Sequence, residues 1–152
     1  MEELTLFPQW RQAVKDFLDS GYKPGDVVTH AWLENAFGMD PVGSDAQLSA
    51  AAFQQRQFDW LRNVEAFKTE LLERHQILLV SVHGAGYRYV PPSEQTEVAQ
   101  DRFEKDAART YRKAALALKH VRLGELSDSE RQANTDAIAR LAMLRGMHKS
   151  LE

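Results

Sequence analysis

The most informative stretch of this sequence for the fold is ILLVSVHGAGYRY, at residues 77–89. It starts with an apolar, partly β-branched run that is typical of a buried strand. Gly84 and Gly86 then predict a tight turn, because glycine adopts positive φ angles without steric cost. After the turn, tyrosine alternates with arginine and valine, and this period of two predicts a second strand with one face towards a core. The stretch is therefore predicted to be a β-hairpin.

A long amphipathic helix is predicted to precede this hairpin. From Phe53 to about Arg74, apolar residues recur at spacings of three and four, which place them on one side of an α-helix. The predicted buried stripe consists of Trp60, Leu61, Val64, Phe67, Leu71 and Leu72. Ser44-x-x-Gln47 has the pattern of a capping box and is predicted to open this helix.

The N-terminal third contains signals for three shorter elements. Apolar residues at helical spacing predict a first helix that begins at Pro8, a residue suited to a first helical turn. The β-branched residues 27–29 predict a short strand. A short helix is expected over residues 31–37, with Thr29 or His30 as its cap.

The run Val82-His83-Gly84-Ala85-Gly86-Tyr87-Arg88-Tyr89 resembles the wing of the winged-helix effector domain in bacterial response regulators of the OmpR type, which typically ends in a G-x-G-Y-R-F-like hairpin. The order helix, strand, helix, helix, strand, wing, strand over residues 8–90 is similar as well. The resemblance implies a DNA-binding fold, with the helix from Phe53 in the major groove and the hairpin touching the backbone or the minor groove. The third helix lacks the dense arginines that are usual in that family.

Two more helices are predicted after the wing. Pro91-Pro92 ends the sheet, since proline cannot continue a ladder of hydrogen bonds. Helical spacing predicts one long helix from Ser93 to about Leu118, and Ser127-x-x-Glu130 is a capping box for a last helix. Because the connection between them is short, we expect the two helices to pack antiparallel, with alanines allowing close approach.

These elements define the predicted architecture. The fold class is mainly α with a small β-sheet (α+β), a winged helix followed by a C-terminal helical hairpin. The predicted domains are the winged helix at residues 5–92 and the helical hairpin at residues 93–150. The hairpin is expected either to form a homodimer or to brace the first domain.

Charge is distributed unevenly along the chain, although the net charge is only −3. Residues 1–92 carry eight Lys or Arg against twelve Asp or Glu, residues 93–122 seven against five, and residues 123–152 four against five. A slightly negative total predicts neither nucleic-acid nor membrane binding by itself. The surplus of positive charge lies after the wing.

Side chains that can read base edges cluster at the front of the predicted recognition helix. Arginine pairs with guanine, and glutamine or asparagine pairs with adenine. The candidate DNA contacts are Gln54, Gln55, Arg56, Arg62 and Asn63 on the helix, with His83 and Arg88 on the wing. If the tyrosines of the returning strand pack inward against Leu61 and Phe67, Arg88 turns outward. The alternative is that these polar residues only solvate an outward surface.

A basic stripe marks one side of the helix that follows the wing. It consists of Arg102, Lys105, Arg109, Arg112 and Lys113. Their spacing places them along one face of a helix, and a row of cations could contact successive phosphates. The alternative is a solvated face with internal ion pairs, for example between Asp106 and Arg109.

Other kinds of site lack the residues they need. The chain has no cysteine, which excludes disulfides and thiolate metal sites and fits a reducing compartment. Its histidines show no HExxH motif or i, i+4 spacing, so we expect no metal and no cofactor. A strand follows Gly84-x-Gly86, whereas a phosphate-binding loop needs a helix there. No catalytic motif is present, and we expect no enzyme activity.

The sequence thus predicts a small cytoplasmic transcriptional regulator of bacterial or mobile-element (phage) type that binds duplex DNA. The cytoplasm is expected because the first residues lack a signal pattern and the longest apolar run is too short to span a bilayer. The alternative is a protein-interaction module that uses the same winged-helix fold to bind or inhibit a partner protein.

Overall fold

The structure is a computed structural model, and it describes residues 8–39 and 47–150. In chain order the elements are α1 (Gln9–Asp19), β1 (Val27–Thr29), α2 (His30–Ala36), α3 (Ala50–His75), β2 (Leu79–Val82), β3 (Gly86–Tyr89), α4 (Gln95–Lys119) and α5 (Asp128–Ser150). Short 3₁₀ turns at Pro92–Glu94 and Leu123–Glu125 lie before α4 and α5. The predicted α+β class is confirmed. The chain divides into two compact units, Met1–Gln95 and Thr96–Glu152.

The sheet of the first unit is antiparallel, with strand order β1-β3-β2. The central strand β3 places Tyr87 opposite Val28 on one side and Ser81 on the other. The hairpin turn closes through a hydrogen bond from the backbone N–H of Ala85 to the carbonyl oxygen of Val82, at 3.0 Å. Gly84 at the turn has a φ of 73°, as predicted from its position between the strands.

One cluster of buried side chains from α1, β1, α2, α3 and β2 forms the core of the first unit. Its members are Ala13, Val14, Phe17, Val28, Leu33, Phe37, Val64, Phe67, Leu71, Ile77 and Leu79. Phe17 lies at the centre, with its ring 5.9 Å from the ring of Phe67 and 5.9 Å from that of Tyr89. Tyr87 and Tyr89 pack partly against this cluster, so the tyrosine face of β3 points inward.

Polar caps fix where the helices begin. Thr29, rather than His30, caps α2: its hydroxyl accepts a hydrogen bond from the N–H of Trp32 at 3.1 Å. The cap of α3 is Ser49, which accepts from the N–H of Ala52 at 3.1 Å. The predicted capping box starts at Ser44, which lies outside the described residues, and α3 begins several residues later than that box would place it.

The prediction of a buried stripe on α3 is wrong at two positions. Leu61 is 56% exposed and Leu72 is 46% exposed, whereas Val64, Phe67 and Leu71 are buried. A buried helix face is roughly 100° wide, and Leu61 and Leu72 lie beyond its edge although they neighbour it in sequence. Leu61 therefore does not form the inward contact that was expected for the wing tyrosines.

The second unit consists of α4 and α5. The predicted capping box is confirmed: Glu130 accepts a hydrogen bond from the N–H of Ser127 at 3.0 Å, and Ser127 accepts one from the N–H of Glu130 at 3.2 Å. The ring of His148, near the end of α5, lies 5.4 Å from the ring of Phe103 in the first half of α4. This contact makes the two helices antiparallel, yet no residue of either helix is buried.

Candidate nucleic-acid interface

The first half of α3 contains no buried residue, although Trp60 packs against Phe37 of the core. The first buried residue of the helix is Val64, the fifteenth of its 26 residues. Before it, Gln54, Gln55 and Arg62 are exposed, while Arg56 and Asn63 are partly buried. The structure thus places three of the five predicted contacts of this helix on open surface.

Two of the exposed contacts share one carboxylate. The side-chain amide of Gln55 donates a hydrogen bond to Asp59 at 3.0 Å, one helical turn along. A guanidinium nitrogen of Arg62 lies 4.0 Å from the same carboxylate oxygen of Asp59. Both interactions are on the surface, where such pairs contribute little stability and exchange readily for a ligand. Asp59 nevertheless lowers the local positive charge, and sequence spacing alone did not reveal its central position.

Arg56 is tied to the neighbouring helix. Its guanidinium lies 3.8 Å from the carboxylate of Glu34 on α2, and both side chains are largely covered. The same two residues line a recess of about 270 Å³ between α2 and α3, together with His30, Met39, Phe53, Gln57 and Trp60. Arg56 therefore helps to join α2 to α3, a role that the prediction of a base contact did not include.

The wing residues have different surroundings. His83 is exposed at the end of β2, as predicted. Arg88 faces away from the tyrosine side of β3, but its guanidinium donates a hydrogen bond to Glu94 at 2.7 Å. That short distance is typical of a charge-assisted bond. Arg88 therefore has a carboxylate partner on the segment that follows the sheet.

Tyr87 connects the wing to α3. The ammonium group of Lys68 lies 5.3 Å from the centroid of the Tyr87 ring, within the range of a cation–π contact. Burial raises the pKa of the Tyr87 hydroxyl above its ordinary value, and the carboxylate of Glu65 raises it further. The phenol is consequently neutral at physiological pH and can act as a hydrogen-bond donor beside α3.

An exposed apolar pair on α3 was missed by sequence reasoning. Phe58 is 53% exposed and lies three residues before the exposed Leu61, so the two share one side of the helix. Gln54 and Glu65 occupy the same side, at spacings of four before Phe58 and four after Leu61. The sequence did contain an indication of this. Phe58 does not share the helical spacing of Trp60, Val64 and Phe67, so it lies on a different face of the helix.

The basic stripe lies on α4, in the second unit. All five of its residues, Arg102, Lys105, Arg109, Arg112 and Lys113, are exposed. The Arg109 guanidinium lies 4.0 Å from Asp106, the internal pair that the alternative interpretation anticipated. The other four form no ion pair with the residues described. They are the largest group of unpaired cations available for phosphate.

Within residues 8–39 and 47–150, no three His, Asp or Glu side chains are grouped so that they could hold a metal ion. In the same residues, no helix combines the length and the apolar character needed to cross a bilayer. No family model, curated protein or solved structure matches the chain.

Proposed function

We propose that this chain binds duplex DNA as a small regulator, with α3 as the recognition helix and the β2–β3 hairpin as the wing. The main support for the proposal is the first half of α3, which presents Gln54, Gln55 and Arg62 on open surface. These are side-chain types that bond base edges in the major groove, a groove wide enough for one helix. The helix order and the strand order β1-β3-β2 support a winged-helix architecture.

The exposed apolar pair is compatible with this function. Apolar side chains in the major groove contact the methyl group of thymine. Phe58 and Leu61 share a helix side with Gln54, so amide and apolar contacts would face the same stretch of bases. The arginines of α3 and the wing have carboxylate neighbours. In the second unit, four cations of the basic stripe form no ion pair with described residues and offer phosphate contacts of their own.

Two matched arginines of α3 provide the test. Arg62 and Arg74 are both exposed and both pair with a carboxylate of the same helix, but only Arg62 lies in the first half of α3. Replacing Arg62 with alanine should weaken binding to a selected site by about 1–3 kcal/mol, the value of one good base contact. Arg74→Ala should leave the affinity unchanged. Fluorescence anisotropy with sites selected from genomic fragments at low salt measures both variants.

Absence of binding to any fragment at low salt would remove the DNA proposal. Equal losses of DNA affinity for Arg62→Ala and Arg74→Ala would mean that Arg62 makes no base contact and that α3 contributes only sequence-independent contacts, for example to phosphates. Replacing Arg88 with alanine tests the wing: a phosphate contact should reduce the slope of log affinity against log salt by about one unit.

A second candidate function is protein binding through the same α3 face. It is favoured by the exposed Phe58 and Leu61, and by the carboxylates within 4.0 Å of Arg56, Arg62 and Arg88. Interface centres are enriched in aromatic side chains and depleted of unpaired charge. A partner protein would need an apolar side chain to pack against Phe58 and Leu61, and a cation to pair with Glu65.

Peptide display against the full chain separates the two candidates. Protein binding predicts enrichment of peptides that combine apolar and basic residues, and their loss with Phe58→Asp. The control Phe103→Asp changes an equally exposed phenylalanine in the other unit and should retain them. Unselective enrichment would leave DNA as the better candidate.

A further inference from the structure

The helical hairpin has no interior of its own. None of the residues in α4 and α5 is buried, although each helix is more than twenty residues long. Its exposed large apolar residues are Phe103, Leu116, Ile138, Met143, Leu144 and Met147. Amphipathic helices obtain most of their stability by burying an apolar face, so this hairpin lacks a covering layer.

A shallow groove of about 530 Å³ runs between the two helices. Its apolar lining consists of Tyr111, Ala115, Ile138, Leu141, Ala142 and Gly146. Small residues line it on both sides, Ala115 on α4 and Ala142 and Gly146 on α5. Lys119, Arg145 and Lys149 also line the groove.

Charge on this face follows a simple pattern. Arg145 and Lys149 form no ion pair among the described residues, and they lie near the end of α5, beside the first half of α4. On α4, the side that carries Tyr111 and Ala115 continues towards the start of the helix at spacings of three and four. The residues met there are Glu97, Asp101 and Glu104, all exposed. Acids on α4 and cations on α5 therefore occupy the same end of the same face.

We propose that a second copy of this chain covers the groove and forms a four-helix bundle with it. A two-fold axis parallel to the helices places α4 of one copy against α5 of the other and keeps like ends together. The acids Asp101 and Glu104 then face Arg145 and Lys149 of the second copy, twice per dimer. The apolar linings meet along the rest of the face, beyond this charged end, and the interface is isologous.

The dimensions of the face suit such a dimer. A helix of 25 residues is about 37 Å long, and two helices packed side by side cover a width of roughly 18 Å. The face thus measures roughly 650 Å², close to the value of about 800 Å² per partner that stable interfaces bury. The inference concerns the second unit alone and does not depend on the proposed DNA binding.

Charge reversal in the full-length chain tests both the partner and the orientation. One variant carries Arg145→Glu and Lys149→Glu, and the other carries Asp101→Lys and Glu104→Lys. Each alone would set like charges against each other and should weaken self-association at least about tenfold. An equimolar mixture restores opposite charges in both α4–α5 contacts of the dimer, so it should dimerise like the unchanged chain. Sedimentation velocity from about 1 to about 100 µM resolves these states.

A pair of glutamate substitutions provides the control for the apolar groove. Ile138→Glu, in the lining, should prevent dimerisation, whereas Met143→Glu, at an exposed apolar residue outside the lining, should not. Circular dichroism establishes that each variant keeps its helices. A monomeric unchanged chain at about 100 µM, or a mixture no better associated than its components, would overturn the proposal. If Ile138→Glu unfolds the hairpin, the mixture of the two charge-reversal variants still tests the proposal, because the substitutions in those variants lie mainly at exposed positions.

Discussion

The two units of this chain differ in how they bury apolar residues. In the first, α1, α2 and α3 close over a three-stranded sheet, and Phe17, Leu33 and Phe67 are almost completely inaccessible. In the second, no residue of α4 or α5 is buried, and Phe103 is exposed by 61% and Met143 by 64%. The first unit therefore has a core of its own, whereas neither helix of the second unit contains a buried residue. Mutations should have very different effects in the two.

The largest effect is expected where the sheet leaves no room for a side chain. A Cβ atom on Gly86 would lie 2.0 Å from the carbonyl oxygen of Val28, and the residue has a φ of 149°. Gly86→Ala should therefore separate β1 from β3 and destabilise the first unit by more than about 4 kcal/mol, which is exceptional for one substitution.

Gly84 is the matched control for this change. It has a φ of 73°, and no atom lies within 4 Å of the position its Cβ would occupy. Gly84→Ala should cost only the strain of a left-handed residue, about 1–2 kcal/mol. Urea titrations followed by tryptophan fluorescence measure the free energy of unfolding of both variants. Equal losses would show that a steric clash with β1 is not the reason for glycine at position 86.

The next largest effect compares one phenylalanine from each unit. Phe67 is fully buried among Phe17, Phe37 and Trp32, so Phe67→Ala should cost about 3–5 kcal/mol. Phe103 is mostly exposed, and Phe103→Ala should stay within about 0.5 kcal/mol. Chemical denaturation of the full chain gives both values. A loss above about 2 kcal/mol for Phe103→Ala would mean that this side of α4 is covered in solution.

Local patterns in the sequence predicted the elements of the chain well because their causes are local. The glycine turn, the Thr29 cap and the Ser127-x-x-Glu130 box each depend on residues within a few positions of one another. The period of two placed Tyr87 and Tyr89 on one face of β3 and Arg88 on the other. These features need no knowledge of the rest of the fold.

Sequence patterns were less informative where exposure and contacts depend on residues that are distant in sequence. Leu61 has an apolar side chain at nearly the right spacing, but no element covers it, and only the assembled unit reveals this. Arg56 and Arg88 stay predicted DNA contacts, but the fold gives each a carboxylate neighbour that the sequence did not indicate, Glu34 on α2 and Glu94 after the sheet. Pairing across elements depends on the tertiary fold, so spacing within one helix or strand cannot predict it.

A moderate effect is expected at the start of α2. Thr29 ends β1 and also caps α2 through its hydroxyl group, at 3.1 Å from the N–H nitrogen of Trp32. Thr29→Ala should destabilise the first unit by about 1 kcal/mol, the usual loss on removing a cap, whereas Thr29→Ser keeps the acceptor and most of the stability. Thermal unfolding of the three proteins measures this. Equal losses for the two variants would assign the effect to the β-branched methyl group.

The smallest effect concerns pH and the start of α5. Hydrogen bonds from the backbone N–H and the hydroxyl of Ser127 hold the pKa of the Glu130 carboxyl below its ordinary value of 4.5. Because this pKa is lower in the folded than in the unfolded chain, the ionised carboxylate stabilises the fold at pH values above the ordinary pKa. This contribution disappears as the pH falls through the lowered pKa, so the first turn of α5 should fray in acid below about pH 4.5.

The variant Glu130→Gln isolates this contribution from the other carboxylates. Glutamine keeps an oxygen that can accept the hydrogen bond but does not titrate, so it preserves the box without its pH dependence. Amide hydrogen exchange at residues 128–131, measured from pH 6 to pH 3, should accelerate more in the unchanged chain than in the variant after correction for the intrinsic rate. Parallel profiles would mean that the reciprocal bonds of the box do not hold α5 at its start, and that packing against a second copy does so instead.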